Sequence, residues 1–299
     1  MESKNVRKIV RDSYGKVAKR KSASCCGPEV KEETKSASCC GSNPTAEDIS
    51  KAIGYSAEEL ASIPDAANMG LGCGNPTAIA GLKEGETVLD LGAGGGLDCF
   101  LAAQKVGQSG WVIGVDMTPD MIDLARDNAE KNDFTNVEFR LGEIENLPVA
   151  DNTADIIISN CVINLSPEKQ RVFDEAYRVL KPGGRLSISD IVLLQELPES
   201  IKNNEALLAG CVAGAEQKDR YIELIANAGF ENIETLVNTK GLAQEVEVEA
   251  PEGVKSGEPI LIIDGQPVEI ENFEEIKEDV EDLSKSIQSV TITAVKPEE

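Results

Sequence analysis

The sequence TVLDLGAGGGLDCF, residues 87–100, places a glycine-rich loop between a predicted strand and a predicted helix. Gly92, Gly94 and Gly96 follow the apolar run at alternate positions. Glycines in such a loop let the backbone turn tightly and let a ligand approach where a Cβ atom would collide. The next predicted strand ends in Asp116, whose carboxylate can accept hydrogen bonds from both hydroxyls of a ribose. The arrangement therefore predicts a nucleotide-binding unit.

Strands and helices alternate through most of the chain. The predicted strands are residues 87–91, 111–116, 137–142, 154–160, 184–193, 231–237 and 289–295. The predicted helices are residues 3–20, 45–63, 97–106, 119–131, 167–180, 199–215 and 218–228. This alternation is typical of an α/β fold, in which helices cover both faces of a largely parallel, Rossmann-like sheet.

The chain divides into three predicted parts. Residues 1–44 join a basic amphipathic helix, expected to pack on the main domain, to a cysteine-rich segment in which KSASCCG occurs twice. Residues 45–195 form the expected cofactor-binding domain, and residues 196–299 form a smaller C-terminal substrate-binding region. We interpret the acidic residues 241–288 as an insertion, with a strand pair at PILIIDGQPVEI and a helix at FEEIKEDVEDL.

Charge and composition exclude several classes of function. With 29 Lys+Arg against 53 Asp+Glu, the net charge of −24 disfavours a nucleic-acid partner. The chain has no histidine, which excludes Ser-His-Asp and Cys-His catalysis and histidine-ligated metals. It lacks a run of ~18 apolar residues and an apolar signal core, so we expect a cytoplasmic protein without a membrane partner. Its eight cysteines are then expected to act as thiols rather than as a disulfide scaffold.

Asp90 distinguishes two ligands for the glycine loop. This carboxylate lies two residues before Gly92, where it would repel the pyrophosphate of a dinucleotide. It would instead attract the cationic amino-acid group of S-adenosylmethionine. The sequence thus favours S-adenosylmethionine over a dinucleotide.

The loop resembles motif I of the class I S-adenosylmethionine-dependent methyltransferases, and further motifs follow in that family's order over residues 82–195. VDMTPDMIDLAR resembles the second motif, which implies Asp116 on the ribose and Met117 against the adenine. GEIENLP resembles the segment that lines the adenine, here with Glu143 and Ile144. The resemblance also implies an antiparallel last strand in the sheet.

Three cysteines are expected near the same edge of the sheet. Asn160 and Cys161 end the fourth strand, and ligands of such sheets bind beyond the carboxyl ends of the strands. Cys73 lies between glycines in GLGCGNPT, and Cys211 lies in LAGCVAGA, within a predicted helix. Each could be a small buried apolar residue, but together, without histidine, they suggest a thiolate cluster. Three thiolates suit a trivalent metalloid better than zinc, which usually takes four ligands.

The segments LGCGNPTAIA, DLGAGGGLDCF, SNCVINLSP and LAGCVAGA are together similar to the arsenite methyltransferases. This resemblance runs over residues 45–238 and resumes at SVTITAVKP. It implies methylation of trivalent arsenic bound by Cys73, Cys161 and Cys211, with detoxification as the outcome. The lone pair of such arsenic can attack a methyl group without a general base, provided that the two are held in line.

The same resemblance implies a redox-active N-terminal cysteine, matched here by Cys26 or Cys40. An external thiol reductant, thioredoxin-type or glutathione, is implied to complete the cycle. Cys99 has a family counterpart near the cofactor. For the two CCG pairs, the alternative is a flexible thiol tail that captures metal without taking part in turnover.

Two other functions are compatible with the sequence alone. One is methyl transfer to a small organic acceptor such as a quinone, which would leave the cysteines unexplained. The other is a non-enzymatic, thiol-rich metalloid buffer.

Overall fold

The computed structural model describes residues 3–24, 45–202, 204, 207–208, 210–238, 260–263, 266–269 and 286–298. The helices in these ranges are α1 (Ser3–Ser24), α2 (Ala46–Ala52), α3 (Ala57–Ala61), α4 (Pro76–Ile79), α5 (Leu97–Val106), α6 (Pro119–Lys131), α7 (Lys169–Val179), α8 (Glu199–Lys202) and α9 (Lys218–Asn227). The strands are β1 (Thr87–Leu91), β2 (Trp111–Asp116), β3 (Val137–Leu141), β4 (Ala154–Asn160), β5 (Leu180–Leu193), β6 (Glu216–Gln217), β7 (Glu231–Val237), β8 (Ile260–Ile263), β9 (Gln266–Glu269) and β10 (Ile287–Val295). Within these ranges, no helix has the length and apolar character needed to cross a membrane.

Eight of the described strands form the main sheet in the order β3-β2-β1-β4-β5-β10-β7, with β6 added on β5, and β8 and β9 form a separate two-stranded sheet. The pairs from β3 through β5 are parallel, and β10 lies antiparallel between β5 and β7. The predicted α/β class, largely parallel with an antiparallel last strand, is confirmed. The strand order reverses between β1 and β4, which is where open parallel sheets bind ligands.

Both faces of the sheet are covered, which explains why its central strands are apolar along their length. Ile156, Ile157 and Ile158 of β4 are fully buried because helices pack above and below them. On one face, α7 presents Val172, Phe173, Ala176 and Val179, the helical spacing of a buried stripe. Phe173 meets Tyr221 of α9 edge to face, with ring centroids 5.5 Å apart. The rigid core thus fixes the strand ends from which the site is built.

Several predicted bounds need correction. The helix expected over residues 45–63 is two short helices, each started by a side-chain cap, Thr45 for α2 and Ser56 for α3. The strand expected at 184–193 begins at Leu180. The strand pair expected at PILIIDGQPVEI is present as β8 and β9, whereas FEEIKEDVEDL lies outside the described residues.

The predicted helix over residues 199–215 is only partly present: residues 199–202 and 207–208 are helical, whereas the prediction is wrong from residue 210 onward. Helix α8 ends at Lys202, and residues 210–214 form turns. Cys211 has a φ of +61°, a left-handed conformation that no α-helix contains. At Gly214 a Cβ atom would lie 2.2 Å from the carbonyl oxygen of Asn164, so this turn packs backbone against backbone. The apolar composition of LAGCVAGA therefore reflects close packing rather than a helix.

The basic helix α1 docks on the acidic main body, as expected. Val10 and Ala18 are each 2% exposed, and α1 packs beside α6. Arg7 forms ion pairs with Glu143, Glu145 and Glu168. The positive charge at the start of the sequence is thus partly neutralised within the fold.

We expect Arg7→Met to loosen α1, because three carboxylates would then face one another without their shared cation. Backbone amides of residues 5–19 should exchange with deuterium about 10-fold faster, equivalent to about 1.4 kcal/mol. Hydrogen-exchange mass spectrometry measures this. Lys16→Met, at an exposed position of the same helix, is the control. Equal exchange in both variants would contradict the role of Arg7.

Candidate functional site

The glycine loop after β1 requires the absence of side chains. Gly92, Gly94 and Gly96 have φ values of +73°, +51° and +97°, which glycine adopts without strain. A Cβ atom at Gly92 would lie 2.4 Å from Cγ2 of Val162. The loop therefore lies directly against the turn that follows β4, which carries Cys161.

Asp116 is held in one orientation at the end of β2. Its Oδ2 accepts a hydrogen bond from the Gly94 N–H at 3.0 Å, and its Oδ1 accepts one from the Thr118 N–H at 2.8 Å. Burial raises the pKa of this carboxyl, while the two backbone donors lower it. The geometry fits the ribose role expected for Asp116, since its carboxylate is fixed beside the glycine loop.

Three carboxyls lie near the start of α5, namely the buried Asp90 and Asp98 and the half-buried Asp116. Asp90 accepts a hydrogen bond from the Cys99 thiol at 3.2 Å, and Asp98 accepts one from the Tyr55 hydroxyl at 2.7 Å. Burial raises the pKa of Asp98 to about 6. Burial and the nearby Asp98 and Asp116 raise the pKa of Asp90 well above its ordinary value. A cationic ligand group would favour their ionised forms, so the donor set fits S-adenosylmethionine.

Asn160 joins the cofactor side of the site to the cysteine side. Its Nδ2 donates to the Tyr55 hydroxyl at 2.9 Å, to the Gly74 carbonyl at 2.8 Å and to Asp98 at 3.2 Å. Its Oδ1 accepts from the Cys73 N–H at 3.0 Å. The amide was predicted to face the ligand; here it also positions the loop that carries Cys73.

The three cysteines predicted to form a cluster lie together. Cys73, Cys161 and Cys211 are 2%, 5% and 2% exposed and share one apolar cluster. The Cys211 thiol donates to the carbonyl of Cys161 at 2.7 Å. Cys161 has a φ of +57°, fixed by its N–H bond to the Ser189 carbonyl at 2.8 Å. These contacts assemble thiols from three separate segments of the chain.

Asp190 is a member of this cluster that the sequence analysis missed. A carboxylate oxygen of Asp190 and the sulfur atoms of Cys73 and Cys161 all lie within 4.8 Å of one another. Asp190 is fully buried, and burial raises its pKa to about 6. Strand pairing could have indicated it, because Asn160 of β4 is in register with Ser189 of β5. Tyr55 and Asp98 were also missed, although Asp98 follows Gly96 by two residues.

The other residues predicted for the site lie in several different surroundings. Ile144 is buried, Glu143 is partly exposed beside Arg7, and Met117 packs against the apolar cluster that contains the cysteines. Cys99 bonds to Asp90, and burial raises the pKa of its thiol well above the ordinary value, which disfavours a reactive thiolate. Cys26 and Cys40 lie outside the described residues.

We expect the affinity for S-adenosylhomocysteine to fall as the pH is lowered through about 6, where Asp98 gains its proton. The raised pKa means that the carboxyl is ionised above this pH and neutral below it, and the ligand's ammonium group favours the ionised form. Calorimetric titration between about pH 5 and pH 8 measures the profile. Asp98→Asn should bind more weakly with a flatter profile. A pH-independent affinity in the unaltered protein would contradict this assignment.

Comparisons with known proteins show the family to which the chain is related. A family model described as a methyltransferase domain matches residues 82–229. The arsenite methyltransferase of Halobacterium salinarum is 52% identical over 233 residues, which cover 78% of this chain and 59% of that protein. The arsenite methyltransferase of Homo sapiens is 43% identical over 152 residues, or 48% of this chain and 40% of the human one. The chain thus spans about half the length of these curated relatives.

Solved structures extend the similarity to the fold. The crystal structure of an arsenic(III) S-adenosylmethionine methyltransferase from Chlamydomonas reinhardtii has a TM-score of 0.54 and 32% sequence identity. The match covers 86% of this chain and 74% of that one. Because the matched relatives and this structure all belong to one group, the chain is a member of the arsenite methyltransferase family.

Proposed function

We propose that this protein transfers a methyl group from S-adenosylmethionine to thiolate-bound As(III), and so takes part in arsenic detoxification. The observation that supports this most directly is the convergence of Cys73, Cys161 and Cys211 in one buried cluster. That cluster adjoins the glycine loop, because Val162, directly after Cys161, contacts Gly92. Methyl donor and acceptor would therefore meet at the carboxyl ends of β1 and β4.

Substrate binding can proceed by ligand exchange at arsenic. Arsenite, As(OH)3, would lose its three hydroxyls as water, each taking the proton of one cysteine thiol. Three As–S bonds to Cys73, Cys161 and Cys211 then form, and the arsenic keeps its lone pair. Soft sulfur ligands suit a soft metalloid, and burial protects the As–S bonds from hydrolysis.

The cofactor would be held by Asp116 at its ribose and by Asp90 and Asp98 near its ammonium group. When bound, S-adenosylmethionine supplies an electrophilic methyl group on its sulfonium sulfur. Transfer of that methyl group to the arsenic lone pair would require no residue to remove a proton from the attacking atom. The residues of this chain contribute by alignment: Asn160 fixes the Cys73 loop relative to Asp98.

Methylation raises the formal oxidation state of arsenic, so two electrons must return it to As(III). We assign this step to Cys26 or Cys40, oxidised to a disulfide with a cysteine of the site. A thioredoxin-type protein or glutathione would then reduce that disulfide. The residues that precede position 45 and carry these thiols form, in this proposal, a separate redox segment of a cytoplasmic enzyme.

The direct test is incubation of the protein with methyl-labelled S-adenosylmethionine, arsenite and a thiol, followed by chromatography of arsenic species. We expect labelled methylarsenicals whose formation requires arsenite. Transfer of label to a quinone without any arsenic product would overturn the proposal. Tight arsenite binding without transfer would instead indicate a metalloid buffer.

Two substitutions should separate the two halves of the site. Asp116→Ala should weaken cofactor binding at least about 10-fold, the effect of losing roughly 1.4 kcal/mol, while arsenite still binds. Cys161→Ser should abolish arsenic methylation while cofactor binding changes little. Calorimetry with each ligand measures both effects. If each variant lost both ligands equally, the placement of the two subsites would be incorrect.

Replacing the CCG cysteines should slow repeated turnover but not the first methyl transfer, because only the return to As(III) requires them. We expect the variant with serine at Cys25, Cys26, Cys39 and Cys40 to give a normal single-turnover rate and a reduced steady-state rate. Ser24→Ala with Ser38→Ala, next to the same pairs, is the control. Unchanged steady-state kinetics in the cysteine variant would favour a metal-capturing tail.

A further inference from the structure

The arsenic chemistry proposed above uses three sulfur atoms and leaves the Asp190 carboxylate without a role. Yet a carboxylate oxygen of Asp190 and the sulfur atoms of Cys73 and Cys161 all lie within 4.8 Å of one another. A tetrahedral zinc site with Zn–S bonds of about 2.3 Å and Zn–O bonds of about 2.1 Å places its ligand atoms roughly 3.5–3.8 Å apart. Small side-chain adjustments would therefore bring Cys73, Cys161 and Asp190 to bonding distance of one cation.

The carboxylate of Asp190 is oriented in the way that metal-binding carboxylates are. Its Oδ1 accepts from Asn164 Nδ2 at 2.8 Å and from the Ile191 N–H at 2.9 Å, and its Oδ2 accepts from the Tyr221 hydroxyl at 2.9 Å. Such outer hydrogen bonds fix a ligand's direction and support metal affinity. Three of the roughly four acceptor positions of a carboxylate are then occupied, and the remaining lone pair is on Oδ2.

The local charges also suit a divalent cation. Two thiolates and one carboxylate carry −3, so a divalent cation leaves −1. Lys169 offsets this charge: its ammonium group donates to the Ser166 carbonyl at 3.2 Å and interacts electrostatically with Asp190 and Cys211. Burial lowers the pKa of Lys169, and these negative neighbours raise it. The fourth position of a tetrahedral cation would be taken by a water molecule, which adds no charge.

We propose that Cys73, Cys161 and Asp190 form a site for a divalent thiophilic cation, Zn²⁺, which excludes arsenite from the same thiols. Zinc binds both cysteine sulfur and carboxylate oxygen, whereas As(III) in the proposed function is bound by the three cysteine sulfurs. The competition with arsenite rests on the proposed function; the zinc site itself does not. Zinc occupancy would keep the buried thiols reduced and the enzyme inactive until arsenite displaces the cation.

Zinc binding is best measured on the full-length chain with serine at Cys25, Cys26, Cys39 and Cys40, because those thiols could bind zinc themselves. Anaerobic titration with ZnCl2 against a chromophoric chelator should give one site per chain. Substitution with Co²⁺ should give the charge-transfer band of thiolate coordination. If the protein showed neither stoichiometric zinc binding nor the Co²⁺ charge-transfer band, the proposal would be overturned.

Asp190→Asn distinguishes this site from the arsenic site. We expect zinc affinity to fall at least about 100-fold, while arsenite affinity changes less than about threefold, because only zinc uses the carboxylate. Asp127→Asn, which removes an exposed carboxylate on α6, should leave zinc affinity unchanged. Cys73→Ser should lower the affinity for zinc and the affinity for arsenite. Equal zinc affinity in Asp190→Asn and the parent would refute the assignment.

Two further measurements complete the test. Tyr221→Phe keeps the carboxylate but removes one of its orienting hydrogen bonds, so an intermediate loss of zinc affinity is expected even if Asp190→Asn fails to fold.

Arsenite added to the zinc-loaded protein should release the cation to the chelator. If zinc and arsenite bound to the protein at the same time, the proposal that zinc excludes arsenite would be incorrect. A chain that methylates arsenic but binds no zinc disproves only this inference. One that binds zinc but transfers no methyl group disproves only the proposed function.

Discussion

The hydrogen bonds of the Asn160 amide are the constraint on which the rest of the site depends. One side chain at the end of β4 contacts Tyr55, Asp98, Gly74 and the backbone of Cys73. These groups come from distant parts of the sequence, and the half-buried amide would leave polar atoms unsatisfied if it lost one of them. The position of the Cys73 loop is therefore determined by the same residue that orders the start of α5.

The antiparallel strand β10 supports that loop from the opposite side. The hydroxyl of Ser289 donates to the Cys73 carbonyl at 2.6 Å, and Asn238, directly after β7, donates to Ser289 at 2.9 Å. At Gly74 a Cβ atom would lie 2.7 Å from the hydroxyl of Ser189, so only glycine allows the loop to lie on β5. Residues from near the end of the sequence thus hold a loop that precedes the first strand of the sheet.

The parts of this structure that could be predicted are those with local signals. The bounds of α5 and α6 and of β1, β2 and β4 follow from apolar periodicity and from glycine and proline positions, so the sequence predicts them to the residue. At Cys211 the local sequence pattern predicts a helix, and this prediction is wrong because tertiary packing of small residues produces a left-handed turn there. Tyr55 and Asp190 escaped notice because their importance lies in partners that are remote in sequence, Asp98 for one and the cysteine pair for the other.

The left-handed backbone of Cys161 and Cys211 implies a conflict between stability and chemistry. A residue with a Cβ atom in this region costs about 1–2 kcal/mol relative to glycine, so both positions would be more stable without their thiols. Selection for stability alone would remove these cysteines. Under the proposed function, arsenic bound to thiols from three distant segments would reverse that balance by acting as a removable cross-link, which would rigidify the fold for as long as it stayed bound.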